Sequence, residues 1–293
     1  MKDRTVLVVG GGEFGSCIAG ILKKNCSVHV WDVDPGKRSS MMGLDAMCNQ
    51  SSVVFLCVCS WHAVDALESV KPFLQSDALI VSCVKGLLQN GRTVNETIAT
   101  MFPGNQFAVF SGPTIAEDMC QGLPGVAAVG GTAAVFEAVR EVFSNTNISV
   151  MHEPDMHSVV WASILKNIYS LFIGMVDGAQ MYAGMEQQWS DLVYAEWNAL
   201  SEKFKINQSV LGGIAGRQDF QATAMSPHSA NRAFGHALSS CATPEKDCEG
   251  MHSLGALVSI FEHDHEPLPR LLAAMHEISL QPGAAGTILS KLL

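Results

Sequence analysis

The chain has 293 residues, 48% of them hydrophobic and 16% charged, and its net charge at pH 7 is −10. This length suffices for one large or two medium domains, and the acidic balance argues against nucleic acids and anionic membranes as partners. The nine cysteines lack metal-ligand spacing and the first residues lack a signal-peptide pattern, so we expect a soluble, cytoplasmic protein without a metal.

Short β-branched segments alternate with helical patterns in the first half of the chain. The strand-like segments are 5–9, 27–31, 52–58, 78–84, 106–110, 125–131 and 147–152. Most of the segments between them space their apolar residues by three and four, which is typical of amphipathic helices. Nearly continuous apolar strands separated by helices predict an α/β domain over residues 1–152. Its sheet is doubly wound, Rossmann-like, mostly parallel and covered on both faces.

From residue 153 to residue 293 we predict an all-helical domain. The helical segments are 154–183, 186–205, an interrupted stretch at 208–240, 248–263, 266–279 and 283–292. The apolar stretch 159–176 is long enough to span a bilayer, but Lys166 and Asn167 at its centre argue against that interpretation. Lys166 either extends its charge to the surface along its own methylenes or performs proton chemistry.

A glycine-rich turn, Gly10-x-Gly12-x-x-Gly15, follows the first strand and opens a helix. Such a turn lets a pyrophosphate approach the backbone at the start of the helix. Asp32, at the end of the second strand, is placed to accept hydrogen bonds from ribose hydroxyls, which favours NAD over NADP. The alternative is a structural turn and a solvated strand end.

Three further clusters carry polar groups. Lys85-Gly86 ends the fourth strand, where open α/β sheets bind ligands, although a surface lysine is the simpler interpretation. Ser111-Gly112-Pro113-Thr114 is either a turn with an N-cap or a set of amides facing a ligand. The interrupted stretch 215–235 is unusually polar for a helical domain and carries Asp219, Thr223, Ser229, Asn231 and Arg232.

Together these motifs resemble the soluble NAD(P)-dependent glycerol-3-phosphate dehydrogenases, of which the chain looks like a divergent and shortened member. The family pattern has a glycine-rich turn, a strand ending in Lys-Gly, a Ser-Gly-Pro-Ser/Thr helix start and a Leu-Lys-Asn helix. A Gly-Leu-Gly-Asp-Leu loop, a threonine and Ser-Arg-Asn-Arg follow. The corresponding motifs of this sequence occur in the same order, between Gly10 and Glu249.

The resemblance implies an NAD-dependent dehydrogenase that transfers a hydride between NAD(H) and glycerol 3-phosphate or dihydroxyacetone phosphate. Lys166 would be the general acid/base and Asp219 would hold and polarise it. The implied substrate-binding residues are Lys85, Gly112, Thr114, Asn167, Thr223, Ser229, Asn231 and Arg232. The implied cofactor-binding residues are Gly10, Gly12, Glu13, Phe14, Gly15, Asp32, Lys85, Ala116 and Glu249. The apolar helical half is compatible with a homodimer.

The sequence departs from the family at the position of a phosphate-clamping arginine. Ser-Arg-Asn-Arg is here Ser229-Ala230-Asn231-Arg232, and Arg217 stands two residues before Asp219. One hypothesis is that Arg217 or Arg232 takes over the phosphate. Two alternatives stay open: the same chemistry on another small hydroxy substrate, and a cofactor-binding relative of low activity that acts as a sensor or partner.

Overall fold

The computed structural model describes residues 4–293. The first half of the chain contains a seven-stranded sheet with the strand order β2-β1-β3-β4-β5-β6-β7. The strands are β1 (Thr5–Val9), β2 (Ser27–Trp31), β3 (Val53–Leu56), β4 (Leu79–Ser82), β5 (Phe107–Ser111), β6 (Gly125–Gly130) and β7 (Ile148–Glu153). Strands β1 to β5 pair in parallel, β6 is antiparallel to β5, and β7 is parallel to β6. The predicted mostly parallel, doubly wound sheet is confirmed.

The connections between the strands supply the helices that accompany the sheet. These are α1 (Glu13–Leu22), α2 (Leu44–Gln50), α3 (Ala63–Val70), α4 (Val94–Met101), α5 (Ala116–Cys120) and α6 (Ala133–Val142). Helix α4 begins with a reciprocal capping box between Thr93 and Glu96, and Thr132 caps α6. Such caps satisfy amides that a helix start leaves without partners, so these boundaries are encoded locally.

The rest of the chain is helical, as predicted. The helices are α7 (Met156–Gly178), α8 (Glu186–Phe204), α9 (Gln208–Leu211), α10 (Asp219–Met225), α11 (Ala230–Ser239), α12 (Glu249–His263), α13 (Arg270–Leu280) and α14 (Ala285–Ser290). A π-helical turn, Ile214–Gln218, leads directly into α10. The interruptions that the sequence showed within 208–240 therefore correspond to three short helices and this turn.

Contacts divide the chain into two compact units. The first comprises the residues up to Lys85 together with Thr93–Val160, and the second comprises Gly86–Arg92 together with Trp161–Leu293. The predicted boundary lies between residues 152 and 153. Because α7 runs through this region without a break, the division falls inside a helix, where the sequence carries no linker signal.

Helix α7 is the core of the second unit. Every residue from 158 to 176 is buried, as expected of a helix that is apolar on all sides. It has the length and composition of a membrane span, but its most apolar window is wholly buried inside the protein. Helix α11 packs against its backbone: a Cβ added at Gly174 would lie 2.1 Å from the Arg232 carbonyl oxygen, and one at Gly235 would lie 2.1 Å from the Leu171 carbonyl oxygen.

Candidate active site

The glycine-rich turn joins β1 to α1 at the carboxyl end of the sheet. Gly10 has φ +102°, a left-handed conformation that favours glycine, and its amide donates to the Trp31 carbonyl oxygen at 2.8 Å. A Cβ at Gly10 would lie 2.4 Å from the Cys57 carbonyl oxygen, and one at Gly15 would lie 1.9 Å from the Gly10 carbonyl oxygen. Both glycines are therefore required by backbone contacts within the fold.

Gly12 differs from the other two glycines of the motif. A Cβ at Gly12 would meet no heavy atom of the described residues within 4 Å. The fold itself therefore does not require a glycine here, and the space beside the first amides of α1 is open. A pyrophosphate needs this kind of access to helix amides. The turn accordingly fits the diphosphate of a dinucleotide.

A pair of thiols lies beside the turn. Cys57 follows β3 and Cys83 follows β4, and a hydrogen bond with the Cys83 thiol together with burial holds the pKa of Cys57 well above its ordinary value. The thiol therefore stays protonated and uncharged at neutral pH. Its neutrality suits a place where a polyanion approaches the backbone.

Asp32 follows β2, as predicted, and its carboxylate reaches the glycine turn. Oδ2 accepts a hydrogen bond from the Gly11 amide at 2.6 Å, and Oδ1 accepts one from the Asp34 amide at 2.9 Å. The side chain thus fixes the turn to the loop after β2. Of the other predicted cofactor residues in this unit, Glu13 is the exposed first residue of α1 and Phe14 packs half-buried against the core.

The carboxyl ends of β4 and β5 bring together a second predicted group. Lys85 Nζ donates to the Gly112 carbonyl oxygen at 3.2 Å, and the same oxygen accepts from the Thr114 amide at 2.7 Å and hydroxyl at 3.1 Å. Ala116 begins α5 next to them. The lysine is therefore held in place beside the Gly-Pro turn, instead of extending into solvent as a plain surface residue.

The partners of Lys166 in the second unit explain why a lysine lies inside an apolar helix. Lys166 is 6% exposed, and its Nζ lies 3.0 Å from Thr223 Oγ1 and 3.3 Å from Asp219 Oδ1. The Thr223 hydroxyl in turn donates to Asp219 Oδ1 at 3.2 Å. Asp219 and Thr223 are four residues apart on α10, so one face of that helix presents both oxygens. The alternative that Lys166 extends its charge to the surface is wrong.

Lys166 and Asp219 depend on each other for charge compensation. Both Lys166 and Asp219 are almost fully buried, and burying a charge is expensive unless an opposite charge and hydrogen bonds compensate it. Here one ammonium faces one carboxylate, with a hydroxyl between them. The pair is neutral as a whole, and loss of either partner would leave an uncompensated charge in the interior.

A network of amides lies next to the lysine. Asn231 Nδ2 donates to Asn167 Oδ1 at 2.9 Å, and Asn231 Oδ1 accepts from the Gly250 amide at 2.7 Å. A Cβ at Gly250 would lie 2.5 Å from the Asn167 carbonyl oxygen, so α12 touches the backbone of α7 at this point. Glu249, the predicted cofactor residue, is the first residue of α12. Both asparagines are predicted site residues, whereas Gly250 is not.

Ser229 and Arg232, two of the predicted substrate-binding residues, lie at the start of α11. Ser229 caps this helix by accepting a hydrogen bond from the Arg232 amide at 3.2 Å. The Arg232 guanidinium lies 3.0 Å from Asp177 Oδ2 and donates to the Ala224 carbonyl oxygen at 2.7 Å. Its charge is thus matched by a carboxylate. Arg217 is exposed and stacks 4.5 Å from the centre of the Tyr194 ring.

The first unit also contains a cavity. A cavity of about 690 Å³ in the first unit is lined by Arg4, Asn25, Arg140 and Ser144, among others. Its lining comes from segments that precede β1, β2 and β7, so it lies at the amino ends of strands, away from the glycine turn. The part of the chain that the structure describes holds no group of three metal-ligating side chains.

Comparisons with known proteins point to one family. Residues 37–136 match the profile of the NAD-dependent glycerol-3-phosphate dehydrogenase N-terminus, and residues 155–281 match that of its C-terminus. A curated glycerol-3-phosphate dehydrogenase (NAD(P)+) of Agrobacterium fabrum is 28% identical over 264 residues, which cover 81% of this chain and 80% of that protein. The protein of the same name from Haemophilus ducreyi is 27% identical and covers 94% of this chain and 89% of its own.

The fold has solved counterparts. The crystal structure of a glycerol-3-phosphate dehydrogenase from Coxiella burnetii superposes with a TM-score of 0.91 at 20% identity, covering 99% of this chain and 98% of that one. A Plasmodium falciparum glycerol-3-phosphate dehydrogenase gives a TM-score of 0.83 at 16% identity, with coverages of 100% and 95%. At such identities the likeness supports the fold.

Proposed function

Because the chain belongs to the family of NAD-dependent glycerol-3-phosphate dehydrogenases, we propose that it interconverts glycerol 3-phosphate and dihydroxyacetone phosphate with NAD(H). The observation that carries the proposal is the buried cluster of Lys166, Asp219 and Thr223. A purely structural helix has no need of an ammonium in its core, whereas a carbonyl reduction needs a proton donor held in place.

A nicotinamide dinucleotide held at the glycine turn would supply the hydride for the carbonyl carbon, or would take it up from the alcohol carbon. Lys166 Nζ donates its proton to the carbonyl oxygen as negative charge develops there. In the oxidative direction the neutral amine accepts the proton of the hydroxyl. Asp219 and Thr223 accept hydrogen bonds from the same nitrogen and so fix its position, which reduces the reorganisation that proton transfer requires.

Other residues of this chain would bind the cofactor and position the helices around Lys166. The glycine turn and the first amides of α1 hold the pyrophosphate, and Lys85, tied to Gly112, presents a cation at the carboxyl ends of the strands. Asn167 and Asn231 hold each other, so they position the helices around Lys166 and leave fewer amide groups for the substrate. The acidic surface supports a soluble, cytoplasmic protein, and the homodimer stays a prediction.

The residues expected to bind the phosphate of the substrate differ from the family pattern. Ala230 is exposed at the first turn of α11 and offers no charge, and Arg232 is already paired with Asp177. An arginine fork is the usual clamp for phosphate, so we expect this chain to bind a phosphorylated substrate less tightly than a relative with an arginine at position 230. This observation favours the second candidate, the same chemistry on another small hydroxy substrate.

One assay tests the proposal. Purified protein is mixed with NADH and dihydroxyacetone phosphate, and then with unphosphorylated dihydroxyacetone and a panel of small ketones, while the absorbance of the reduced nicotinamide is followed. We expect oxidation with the phosphorylated ketone. In the Lys166→Ala variant, kcat should fall by roughly 100- to 10,000-fold, because the general acid is lost.

The control is Lys291→Ala, which removes an exposed lysine of the same unit and should leave kcat unchanged. Fluorescence titration with NADH should give the same Kd for all three proteins. Turnover of another ketone only would favour the second candidate. NADH binding without any turnover, or a Lys166→Ala variant of normal activity, would overturn the proposed mechanism.

A further inference from the structure

Two cysteines that lie far apart in the sequence meet where α5 packs against α1, the helix that follows the glycine turn. Cys17 lies within α1, and Cys120 is the last residue of α5. A hydrogen bond joins the two thiols, and Cys17 Sγ also donates to the Ala116 carbonyl oxygen at 3.2 Å. Because Ala116 and Cys120 are one helical turn apart, both lie on the face of α5 that meets α1.

Asn147 holds the end of α5 in place. Its Nδ2 donates to the Met119 carbonyl oxygen at 3.1 Å and to the Leu123 carbonyl oxygen at 2.7 Å. These two bonds fix the backbone immediately before Cys120 and shortly after it. The contact between the two thiols is therefore built into the fold of the first unit.

The two thiols differ in their access to solvent. Cys17 is buried, whereas Cys120 is exposed. Burial and the hydrogen bond with Cys120 raise the pKa of Cys17 to about 12, so this thiol keeps its proton at neutral pH. A dissolved oxidant therefore meets Cys120 first, with Cys17 already in contact. An accessible cysteine next to a resolving cysteine is typical of redox-sensitive sites.

The other pair of hydrogen-bonded thiols, Cys57 and Cys83, provides a comparison. Cys83 is buried and Cys57 is only partly exposed, so neither sulfur faces the solvent as Cys120 does. Contact between thiols thus occurs at both places. Contact together with a solvent-facing thiol distinguishes the pair of Cys17 and Cys120, which is therefore the better candidate for oxidation.

We propose that Cys17 and Cys120 are a redox-sensitive pair, which hydrogen peroxide oxidises to a disulfide between α1 and α5. The Cys120 sulfur attacks one oxygen of the peroxide, the O–O bond breaks, and a sulfenic acid and water form. The Cys17 sulfur then attacks the sulfenic sulfur, the S–S bond forms and the S–O bond breaks. The hydroxyl leaves as water with the Cys17 proton, so the peroxide is reduced and both thiols are oxidised.

The disulfide has a consequence for the proposed cofactor site, because the first amides of α1 would hold the pyrophosphate. A bond between the sulfurs is shorter than the hydrogen bond it replaces, so its formation draws α1 and α5 together. It also removes the hydrogen that the Ala116 carbonyl oxygen accepts. We therefore expect the oxidised protein to bind NADH at least about threefold more weakly. This expectation rests on the proposed function, whereas the disulfide does not.

Peptide mapping tests the disulfide. Fully reduced protein is treated with hydrogen peroxide, its remaining thiols are alkylated, and a digest made without reductant is analysed by mass spectrometry. We expect a cross-linked peptide pair that contains Cys17 and Cys120 and that a dithiol reductant separates. Fluorescence titration with NADH before oxidation, after oxidation and after reduction should show the loss of affinity and its recovery.

Three variants separate this pair from general oxidation. Cys120→Ser should abolish the cross-link and keep the NADH affinity unchanged by peroxide. Cys17→Ser leaves Cys120 without a resolving thiol, so its sulfenic acid should persist and react with a dione probe. Cys241→Ser removes an exposed cysteine of the second unit and should behave as the wild type does.

Two results would overturn the assignment of the pair. One is a peroxide-treated wild type without the cross-link between Cys17 and Cys120. The other is a disulfide that forms between Cys57 and Cys83 in its place. A complete cross-link with an unchanged Kd for NADH would refute the effect on cofactor binding. Reduced protein that fails to bind NADH would contradict the proposed function, while the peptide map would still decide on the thiol pair.

Discussion

The glycine turn of the first unit is defined by close backbone contacts and an open space at Gly12, whereas the region around Lys166 in the second unit is defined by buried side chains. At the turn, a Cβ added at Gly10 would collide with the Cys57 carbonyl oxygen, and one added at Gly15 would collide with the Gly10 carbonyl oxygen. Around Lys166, an ammonium, a carboxylate, a hydroxyl and two amides satisfy one another. The turn therefore depends on the absence of side chains at its glycines. The region around Lys166 depends on which charged groups and hydrogen-bond donors are present.

The largest effect is expected from a methyl group added at Gly12. Because nothing in the described residues lies within 4 Å of its Cβ position, Gly12→Ala should fold normally. The methyl would occupy the space by which a pyrophosphate approaches the amides of α1, so we expect the Kd for NADH to rise by at least about tenfold. Fluorescence titration measures the Kd, and thermal unfolding of the free protein should be nearly unchanged.

Gly20→Ala is the matched control for that variant. Gly20 lies on the same helix, and its Cβ position is equally open. Alanine there should leave NADH binding unchanged and stabilise the helix by about 0.5–1 kcal/mol, the usual difference between glycine and alanine inside a helix. Equal losses of affinity in both variants would mean that the open space at Gly12 is not where the diphosphate binds.

Two glycines of α12 in the helical unit differ in the same way. A Cβ at Gly250 would lie 2.5 Å from the Asn167 carbonyl oxygen and 3.0 Å from Asn231 Oδ1, whereas one at Gly255 on the same helix would meet no described heavy atom within 4 Å. Gly250→Ala should lower the free energy of unfolding by about 1–3 kcal/mol, the typical cost of overpacking a core.

Urea unfolding measures this effect, with Gly255→Ala as the control that should be neutral or slightly stabilising. In Gly250→Ala we also expect kcat to fall, since α12 must move away from the residue next to Lys166. An unchanged stability would show that α12 adjusts without cost and that the amide network tolerates displacement.

The smallest expected effect concerns Glu196, a buried carboxylate on α8. Burial raises its pKa, while hydrogen bonds from the Leu271 and Leu272 amides and the Tyr169 hydroxyl oppose the rise. Because the folded-state pKa lies above the unfolded value of about 4.3, this group stabilises the protein fully below that pH. The contribution is lost as the pH rises through the folded-state pKa.

Glu196→Gln should therefore destabilise the protein by about 1 kcal/mol at pH 7, because an amide cannot accept all three hydrogen bonds. The difference from wild type should be larger near pH 4 than near pH 7, as measured by urea unfolding across that interval. Glu202→Gln, an exposed carboxylate on the same helix, serves as the control. A pH-independent difference would contradict the assigned direction of the pKa shift.

Local patterns account for what could be predicted of the fold and the site. The alternation of strands and helices, the glycine spacing and the short distance from Asp219 to Thr223 all concern residues close in sequence, where the period of a strand or helix fixes the arrangement. The reversed direction of β6 escaped prediction because an apolar strand pattern carries no direction.

The amino-acid pattern alone predicts the order of elements, the glycine-rich turn and a lysine inside an apolar helix. Which groups that lysine meets depends on tertiary packing, since Asp219 lies more than fifty residues away and α10 has to be placed against α7. Tertiary packing also places Asp177 where it matches the charge of Arg232. Side-chain type sets what a residue is able to do, whereas packing decides which partner it has, because a buried charge takes whichever opposite charge the fold brings within reach.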